Sequence, residues 1–573
     1  MSIRSQFSEV FQPKILELFK KGNYNKELFT QDLIAGIIVG IVALPLAIAF
    51  GIASGVTPQQ GLITAVVAGF LVSLLGGSHF LIGGPTGAFI VIVYGIVAEY
   101  GISGLIIATV LAGIMLVLMG VFKLGNIIKF IPYPIVVGFT SGIAVTIFST
   151  QIKDFFGLTI DKVPSEFVPQ WGSYFSHFGT INIFETLLSL FCLLIIILWP
   201  KVSSKIPGSL IAIIAGTCAA LAITHFGGIE IATIGSKFPE LANGIEMPKP
   251  QAPHITWEIA QNLFKPAFTI ALLCAIESLL AAMVADGVTG KRHNSNTELI
   301  GQGVANIITP FFGGIPATGA IARTMTSINN GGKTPLTGII HAVVLLLIFL
   351  FLMPYAIYIP LSCLAAILII VAYNMSEWRT FKYLLKGDKA DIAVLLITFF
   401  LTVIIDLTVA IEVGLVLAIV LFVKRISETS KIKVLRDEFV SNTENDELAE
   451  LANIEHITIP NGVEIYEIDG PFFFGLASKL DEVDRDLGKK AQPVRIIRMR
   501  KVPFMDSTGL NNLRSLVKRS QKDGIQIILS GVTDNVKEYL TKAGFNKEIG
   551  DEYIFPHISL ALEKAREVVT NKR

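Results

Sequence analysis

Charged residues, cysteines and histidines are scarce in this sequence of 573 residues. Asp, Glu, Lys and Arg together make up 16% of the chain, with 4 cysteines and 8 histidines. Hydrophobic residues reach 52% and the mean hydropathy is +0.65, both far from the average of soluble proteins. The composition therefore predicts an integral membrane protein. The net charge of +1 gives no reason to expect a nucleic-acid partner.

Motifs for covalent or metal chemistry are also missing. The sequence has no HExxH, Walker A, GxSxG or dinucleotide-binding pattern, which predicts that the protein is not an enzyme and needs no cofactor or metal. All cysteines fall inside apolar runs without CxxC or Cys/His spacing, and they are predicted to be buried thiols. The first thirty residues lack an apolar core with a cleavage site, so no cleaved signal peptide is expected. The cysteines are Cys192, Cys218, Cys274 and Cys363.

Long apolar segments begin at Asp32 and recur to about residue 425, after a predicted cytoplasmic segment of residues 1–31. They form two sets of seven. The first set comprises residues 32–54, 59–75, 86–98, 103–122, 134–150, 183–199 and 208–224. The second set comprises residues 263–285, 298–312, 318–328, 335–353, 361–373, 390–405 and 408–423.

One irregular motif occurs in both sets. The stretch GGIPATGAIAR, residues 313–323, has a partial copy GGPTGA at residues 83–88. Gly and Pro interrupt an apolar run and leave the first amides of the next helix without intrahelical partners. In lipid such a break needs protein or a water-filled cavity around it, and matched breaks in two halves point to a transporter's substrate site. Helices starting at Thr86 and Thr318 would aim their positive dipole ends at one anion. A simple kink between packed helices is the alternative.

The number of segments per half also predicts their orientation. Seven spans per half force the halves into opposite orientations, so the duplication is predicted to be an inverted repeat. Basic residues in the connecting loops fall on one side of the predicted membrane, from Lys26 at the start to Lys424 at the end. The positive-inside rule makes that side, and both termini, cytoplasmic.

Two charges lie within the apolar segments at informative positions. Glu277 is near the centre of its segment, where an unpaired carboxylate is costly, so a functional role is the default hypothesis and a bracing role the alternative. Arg323 lies in the second copied motif and can add positive charge behind the helix amides. An anion would be its natural partner, and a structural pair with Glu277 or Asp286 is the other possibility. Pro45 predicts another interrupted helix, with Phe50 beside it as an apolar wall or as core packing.

The composition changes after Lys424. Residues 426–455 are charged and predicted to be a linker, and residues 456–573 a small α/β domain. A strand pair is predicted around Asn461-Gly462, followed by a helix at residues 476–487, a strand at 494–499 and the loop KVPFMDSTG. A helix at 510–522, a strand at 525–531 and helices at 535–543 and from Ile558 complete the domain.

Several stretches together resemble the SulP family of anion transporters, whose members carry sulfate, bicarbonate, chloride, oxalate or dicarboxylates. They are DLIAGIIVGIVALPLAIAFGIASG, GGPTGA, IESLLAAMVAD, ELIGQGVANIITPFFGGIPATGAIART, NNGGKTPLTG and KVPFMDSTGL. The resemblance implies fourteen helices in a seven-plus-seven inverted repeat like that of uracil permease, with a core domain moving against a gate domain, commonly in a homodimer. It also implies a substrate site formed by Phe50, Thr86, Gly319, Ala320, Ile321, Ala322 and Arg323.

Two positions depart from patterns in the family. Sodium-coupled bicarbonate members look to have an Asp with a Thr one turn later, where this chain has Glu277 and Ala281. The missing hydroxyl disfavours Na⁺, and a lone Glu resembles the proton-coupled members. Leu46 replaces a frequent Gln, which removes one hydrogen bond for a polar anion and weakens a specific assignment to sulfate.

The C-terminal domain resembles a STAS domain. In related anti-sigma factor antagonists a serine in a DSxGL loop is phosphorylated, and Ser507 of MDSTGL matches it. A phosphate would be favoured at a helix N-terminus, whereas a plain N-cap serine is the simpler interpretation. A regulatory protein that binds this domain is a possible partner.

The predicted function is secondary active transport of sulfate or bicarbonate across a bacterial-type inner membrane, coupled to protons through Glu277. The alternatives within transport are a sodium-coupled bicarbonate or dicarboxylate symporter, a passive anion channel, exchanger or motor, and a nucleobase permease. Ala320 and Ala322 offer a nucleobase no polar side chain. A membrane-tethered signalling protein, in which the STAS domain alone acts, is the alternative from another class.

Overall fold

The computed structural model describes residues 10–19, 24–126, 131–161, 163–164, 166–203, 207–239, 261–405, 407–435, 438–440, 456–475 and 492–571. The chain divides into two compact units, Met1–Val416 and Leu417–Arg573. The first is helical. The second is built around a β-sheet.

The helices up to the domain boundary carry the labels α1 to α16, and two short strands lie among them. In chain order the elements are α1 (Lys26–Ala53), α2 (Pro58–Leu75), β1 (Gly83–Gly84), α3 (Ile90–Val121), α4 (Tyr133–Phe156), α5 (Phe167–His177), α6 (Ile183–Leu198), α7 (Gly208–Gly227), α8 (Ile234–Lys237), α9 (Phe264–Thr289), α10 (Ser295–Ile308), β2 (Thr318–Gly319), α11 (Ile321–Asn329), α12 (Leu336–Ala356), α13 (Leu361–Met375), α14 (Trp378–Leu384), α15 (Lys389–Ile404) and α16 (Leu407–Thr429).

Each of the fourteen predicted segments contains a helix. Among the described residues, nine helices are long and apolar enough to cross a membrane. The third and fourth predicted segments lie in one helical element, α3, which is broken at Gly101. This residue has φ 68° and ψ −172°, a conformation that glycine adopts without steric cost. The first part of α3 is therefore short, as expected for a half-helix.

The predicted interruption at Pro45 is wrong, because α1 continues through this residue to Ala53. Proline removes one backbone hydrogen bond, and a helix packed among others can tolerate that loss. The prediction that all four cysteines are buried is wrong for Cys218, which is exposed on α7. An apolar helix in a membrane does not reveal from composition alone which of its faces meets protein.

The helices of the first unit pack in two groups. One group contains the helices α1, α2, α3, α9, α10 and α12, which contact one another extensively. In the other group, α4 packs against α13 and α15, α13 packs against α6, and α6 packs against α7. We call these sets the first and second helix groups.

A fully buried carboxylate holds the start of α1 against the start of α12. Asp32 is 0% exposed. Its Oδ1 accepts hydrogen bonds from the backbone amides of Lys333 and Thr334, at 2.8 and 3.2 Å, and from the Thr337 hydroxyl at 2.8 Å. Its Oδ2 accepts from the hydroxyls of Thr334, at 2.6 Å, and Tyr24, at 3.1 Å. These five bonds satisfy a charge that would otherwise be costly to bury.

Replacing this carboxylate should destabilise the first unit. In Asp32→Asn the side-chain NH₂ group would face hydroxyl or amide groups that now donate to the carboxylate. A lost hydrogen bond to a buried charged group costs roughly 1.5–3 kcal/mol. We expect the apparent melting temperature of the detergent-solubilised protein to fall by several degrees, measured by intrinsic fluorescence. Glu27→Gln, at an exposed position near the start of the same helix, is the control. An equal melting temperature for both variants would contradict the role of Asp32.

The N-terminal segment packs against the loop that leads to β1. Lys14 N donates to Gly76 O at 3.0 Å, and Glu17 Oε2 lies 2.8 Å from His79 Nε2. Burial acts to raise the pKa of Glu17, but hydrogen bonds from Lys14 and His79 outweigh it and lower that pKa to about 2. The carboxylate is therefore ionised at neutral pH and helps to hold this loop.

The second unit contains a five-stranded sheet in the order β3-β6-β7-β8-β9. Strand β3 is antiparallel to β6, and the other pairs are parallel. Helices α17 and α18 pack on one face and α20 on the other. The elements are β3 (Lys431–Leu435), β4 (Glu438–Val440), β5 (His456–Thr458), β6 (Val463–Asp469), β7 (Val494–Lys501), α17 (Ser507–Lys522), β8 (Gln526–Ser530), α18 (Asp534–Lys542), α19 (Phe545–Ile549), β9 (Ile554–Phe555) and α20 (Ile558–Asn571).

The predicted strand pair around Asn461-Gly462 is wrong, although both strands exist. Strand β5 pairs with β4, and β6 pairs with β3 and β7. Because β6 lies between β3 and β7, both of its edges are occupied and β5 has no edge to join. Strand β3 lies inside residues 426–455, so the stretch predicted to be a linker contains part of the sheet. The helix predicted at residues 476–487 lies outside the described residues.

A buried ion pair joins the neighbouring strands β6 and β7 of this sheet. Arg495 Nε donates to Glu464 Oε1 at 2.8 Å, and their side chains are 1% and 0% exposed. The guanidinium also lies over the Tyr466 ring, 4.5 Å from its centroid. Neither charge can be removed alone without leaving the other in a low-dielectric environment.

Removing the acid should loosen the sheet. We expect Glu464→Ala to destabilise the second unit by about 3–5 kcal/mol, because it leaves Arg495 buried and charged. Hydrogen–deuterium exchange of the full chain should then show faster exchange in β6 and β7. Glu538→Ala, which removes the partner of an exposed ion pair with Lys542, is the control. Unchanged exchange in β6 and β7 would show that the pair does not stabilise the sheet.

Candidate functional site

The two copied motifs meet in the structure as a short antiparallel ribbon. Gly83 pairs with Gly319 and Gly84 with Thr318, and Ala320 N donates to Ile82 O at 2.9 Å. Backbone groups in the middle of a membrane protein must find partners within the protein. The two interrupted segments therefore satisfy each other, and each leads into a helix start.

The predicted helix start at Thr86 agrees with the structure, but the start at Thr318 is wrong by three residues. Thr86 precedes a 3₁₀ turn, Gly87–Phe89, which runs into α3. Thr318 lies in β2 instead, and α11 begins at Ile321. The Thr318 hydroxyl lies 2.7 Å from Ser278 Oγ and donates to Cys274 O at 3.0 Å. These bonds to α9 hold Thr318 in extended chain.

Both helix starts present backbone amides without intrahelical partners. The first bond of α11 runs from Thr324 N to Ala320 O, at 3.0 Å, so the amides of residues 321–323 are available. Ile321 is 43% exposed, Ala322 is exposed, and Thr86 is half-buried. Accessible amides at a helix N-terminus are an anion-binding arrangement.

Arg323 lies behind these amides and is 1% exposed. Its guanidinium donates to two backbone carbonyls, Gly83 O at 3.4 Å and Pro85 O at 3.1 Å. Within the described residues no ion pair joins Arg323 to Glu277 or Asp286, since Glu277 binds Thr86 and Asp286 binds His293. The alternative of a structural ion pair is therefore wrong, and the cation is buried without a carboxylate.

Glycine at position 84 creates the space for this guanidinium. A Cβ atom on Gly84 would overlap Nη1 of Arg323, and the residue has φ +152°. Both features disfavour any other residue at this position. At Gly319 a Cβ atom would lie 2.7 Å from the Leu81 side chain, so the ribbon is closely packed on both strands.

Adding a methyl group at Gly84 should therefore disable the site. We expect Gly84→Ala to displace the Arg323 guanidinium and to lower anion uptake by at least about tenfold, since electrostatic groups displaced by roughly 1 Å lose much of their effect. Uptake into proteoliposomes is the measurement. Gly95→Ala, where a Cβ atom would meet nothing within 4 Å, is the control. Equal uptake by the two variants would contradict the proposed position of Arg323.

Glu277 connects α9 to the first helix start. It is half-buried, and its Oε2 accepts a hydrogen bond from the Thr86 hydroxyl at 3.0 Å. The next residue, Ser278, accepts from Gly319 N at 3.0 Å. Consecutive residues of α9 thus contact both copied motifs, and Glu277 is linked to the start of α3 through Thr86. Ala281, one turn later, is 1% exposed and contributes no oxygen.

Phe50 and two residues that sequence analysis missed surround the first helix start. A Cβ atom on Gly87 would lie 2.9 Å from Met375 Sδ, 3.1 Å from Ile147 Cδ1 and 3.5 Å from Phe50 Cε1. Met375 and Ile147 belong to α13 and α4 in the second helix group. They are apolar residues in apolar helices, so no sequence signal could have identified them.

A cavity of about 870 Å³ lies between the two helix groups. It extends to Ala49, next to Phe50, and to Ile90 at the start of α3. Its wall carries both lysines and carboxylates. They are Lys153, Lys237, Lys265, Glu99, Asp154, Asp161 and Glu166. With both signs present, these side chains give the cavity wall no excess of positive charge.

Ser507 in the second unit is exposed at the start of α17. The interpretation of this serine as a plain N-cap is wrong, because Asp506 is the N-cap and its Oδ1 accepts from Gly509 N at 2.7 Å. A carboxylate suits this position well, since it accepts an amide and complements the helix dipole. The predicted phosphorylation of Ser507 remains a prediction.

These features define a class before any comparison is made: a helical multi-pass membrane transporter with a small α/β domain. Comparison with known proteins gives the family. A model of the sulfate permease family matches residues 29–398, and a model of the STAS domain matches residues 456–565. The chain belongs to the sulfate permease family and carries a C-terminal STAS domain. It is a transporter and not an enzyme.

Individual relatives have similar lengths. The chain is 43% identical to a putative sulfate transporter, YvdB, of Bacillus subtilis over 93% of this chain and 97% of that protein. It is 30% identical to the bicarbonate transporter BicA of a Picosynechococcus species, over 90% of this chain and 91% of that protein.

Solved structures agree on the fold. The murine anion transporter Slc26a9 in an inward-facing state is similar with a TM-score of 0.86, covering 99% of this chain and 95% of that one, at 18% identity. The transmembrane domain of a cyanobacterial bicarbonate transporter BicA matches with a TM-score of 0.60 and 30% identity, over 69% of this chain and 98% of that one.

Proposed function

We propose that the protein transports a small inorganic anion, sulfate or bicarbonate, across the cytoplasmic membrane by secondary active transport. The observation that carries this proposal is Arg323, a buried cation without a carboxylate partner, beside the accessible amides at the start of α11. An anion between the two helix starts would meet this charge and the two positive dipole ends. Relatives named for sulfate and for bicarbonate support both substrates equally.

Phe50, Thr86, Gly319, Ala320, Ile321, Ala322 and Arg323 form the proposed substrate site. The backbone amides of Ile321, Ala322 and Arg323 face the site, since the Ala320 amide already donates to Ile82 O. Thr86, whose hydroxyl donates to Glu277, lies at the other helix start, and Phe50 supplies an apolar wall. Backbone amides and a positive charge are sufficient to bind a small anion. A nucleobase would need polar side chains that hydrogen-bond to the edge of its ring, and Ala320 and Ala322 offer none.

Proton coupling through Glu277 is the second part of the proposal. A proton on Glu277 would remove a negative charge near the anion. The hydrogen bond between Glu277 and Thr86 would then connect protonation of the carboxylate with binding of the anion. Sodium coupling is the alternative, since the family resemblance includes sodium-coupled bicarbonate members. Ala281 offers no oxygen for Na⁺, which supports the proton.

The proposed architecture is a seven-plus-seven inverted repeat of fourteen segments, with termini in the cytoplasm. The separate packing of the two helix groups, with a cavity between them, supports movement of one group past the other for alternating access. Assembly as a homodimer and regulation through the STAS domain, by a binding protein or by phosphorylation of Ser507, follow from the family and belong to the same proposal.

Flux measurements on reconstituted protein test the transport and coupling proposals together. We expect uptake of labelled sulfate or bicarbonate into proteoliposomes to be driven by an inward proton gradient, and Glu277→Gln to abolish the effect of that gradient because the variant carries no titratable group there. Glu185→Gln is the control, since Glu185 is a buried carboxylate of α6 that accepts from Ala232 N at 3.0 Å, away from the site.

The outcomes separate the alternatives. Uptake driven by a sodium gradient alone would overturn proton coupling and favour the symporter of the bicarbonate type. Electrogenic flux that depends on neither gradient would identify a passive channel or exchanger. Folded protein without flux of either anion would overturn transport and leave a signalling role for the STAS domain.

A further inference from the structure

Helix α5 carries an exposed apolar face that the proposed transport mechanism does not use. Its sequence, FVPQWGSYFSH, contains no Lys, Arg, Asp or Glu. Val168 and Phe175 are 64% and 67% exposed. They lie seven residues apart, which places them within about 20° of each other around the helix axis. An exposed apolar face of this kind marks a contact with another molecule or with lipid.

The surface of α5 divides into three faces. Gln170 and Tyr174, four residues apart, are buried against the protein. Trp171 is half-buried and lies between this buried face and the apolar face of Val168 and Phe175. The third face is exposed and carries small or polar residues, which are Pro169, Gly172 and Ser176. Protein, an apolar medium and water would each suit one of these faces.

The contact between α5 and α4 shows how deep α5 lies. The Trp171 indole N–H donates to Ser149 Oγ at 3.0 Å. Ser149 lies seven residues before the end of α4 at Phe156, which is about 10 Å of helix. Helix α4 is long and apolar enough to cross a membrane. Helix α5 therefore packs beside the last turns of a membrane-spanning helix and not beyond its end.

The apolar face of α5 continues into the exposed side of α6. The rings of Phe175 and Phe178 lie 5.7 Å apart, and Ile181 and Ile183, which follow in the chain, are both exposed. Helix α6 is long and apolar enough to cross a membrane, and only 22% of its apolar run is buried. Residues 167–184 contain no Lys, Arg, Asp or Glu. The apolar surface thus runs without a charged residue from α5 to a helix side that must face lipid.

We propose that α5 is an interfacial helix, whose face of Val168 and Phe175 inserts between the headgroups and the acyl chains of the non-cytoplasmic leaflet. Lipid fits this face better than a protein partner does, because the face extends the lipid-facing side of α6 at the depth of the last turns of α4. Aromatic residues are enriched at this depth of the bilayer. Trp171, with an apolar ring and one N–H donor, suits such a boundary.

The lipid contact has a consequence for the cavity between the two helix groups. Phe167 and Gln170 of α5 line that cavity, and α5 packs against α4 and α15 of the second helix group. A helix held in the boundary region resists displacement along the membrane normal, because its apolar face would leave lipid and its polar face would leave water. This part of the cavity wall therefore keeps a constant depth. The lipid contact itself does not depend on the proposed function.

Spin labelling of the full chain in lipid nanodiscs tests the contact. Cys218→Ala removes the exposed native thiol, and the other three cysteines are buried. Nitroxides attached at Val168→Cys and at Phe175→Cys then report collisions with oxygen, which concentrates in lipid, and with a water-soluble nickel chelate. We expect accessibility to oxygen to exceed accessibility to nickel at both positions. Because two positions probe one face, misfolding of either variant leaves the other as the test.

Two further labels give the references within the same chain. Ser176→Cys lies on the polar face, about 100° around the axis from Phe175, and should be more accessible to nickel than to oxygen. Leu187→Cys lies at an exposed position on α6 and should show the lipid pattern. The melting temperature of each labelled protein checks that it is folded.

Labels at residues 168 and 175 that are as accessible to nickel as the label at residue 176 would overturn the inference. Immobile labels shielded from both reagents would also overturn it and assign the face to a protein contact, with spin–spin broadening identifying a second copy of the chain. The lipid pattern at all three positions would place α5 within the acyl chains and contradict the boundary position. The lipid pattern at residues 168 and 175 in protein that transports no anion would support α5 as an interfacial helix and overturn the proposed function alone.

Discussion

The ribbon between the two copied motifs is the constraint on which the first unit depends. Two segments of extended chain lie among apolar helices, where unpaired backbone groups are costly. Gly83 and Gly84 pair with Gly319 and Thr318, and the Arg323 guanidinium occupies the space that a side chain on Gly84 would fill. The same contacts that satisfy the backbone also place a cation beside two helix starts. Structure and binding chemistry therefore depend on the same few residues.

Buried carboxylates in the first helix group differ in how fully they are hydrogen-bonded. Asp32 accepts five hydrogen bonds and ties α1 to α12. Glu298 accepts from the amides of Gly77 and Ser78, at 2.9 and 3.1 Å, and from the Gln302 side chain. Glu277 accepts from Thr86 and is half-buried. Asp32 and Glu298 each fix two chain segments through several donors, whereas Glu277 is held by one hydroxyl.

The positive charge of Arg323 is also only partly compensated by its hydrogen-bond partners. Arg323 has carbonyl partners that fix its direction without cancelling its charge. In a low-dielectric region an uncompensated charge or an unpaired polar atom persists only at a cost. In the proposed mechanism an anion offsets that cost at Arg323.

The sequence by itself determined the membrane class, the helical segments, the α/β domain and the position of the two chain breaks, because apolar run length, Gly and Pro act locally along the chain. Tertiary structure decided the rest. Thr318 is extended because β1 and α9 hold it. Among the residues that the structure describes, Arg323 has carbonyl partners but no carboxylate, since Glu277 binds Thr86 and Asp286 binds His293. Strand β5 does not pair with β6 because β3 and β7 occupy both edges of β6. Met375 and Ile147 approach the start of α3 from distant parts of the chain, and the relevant physical quantity, distance in space, is absent from a single sequence.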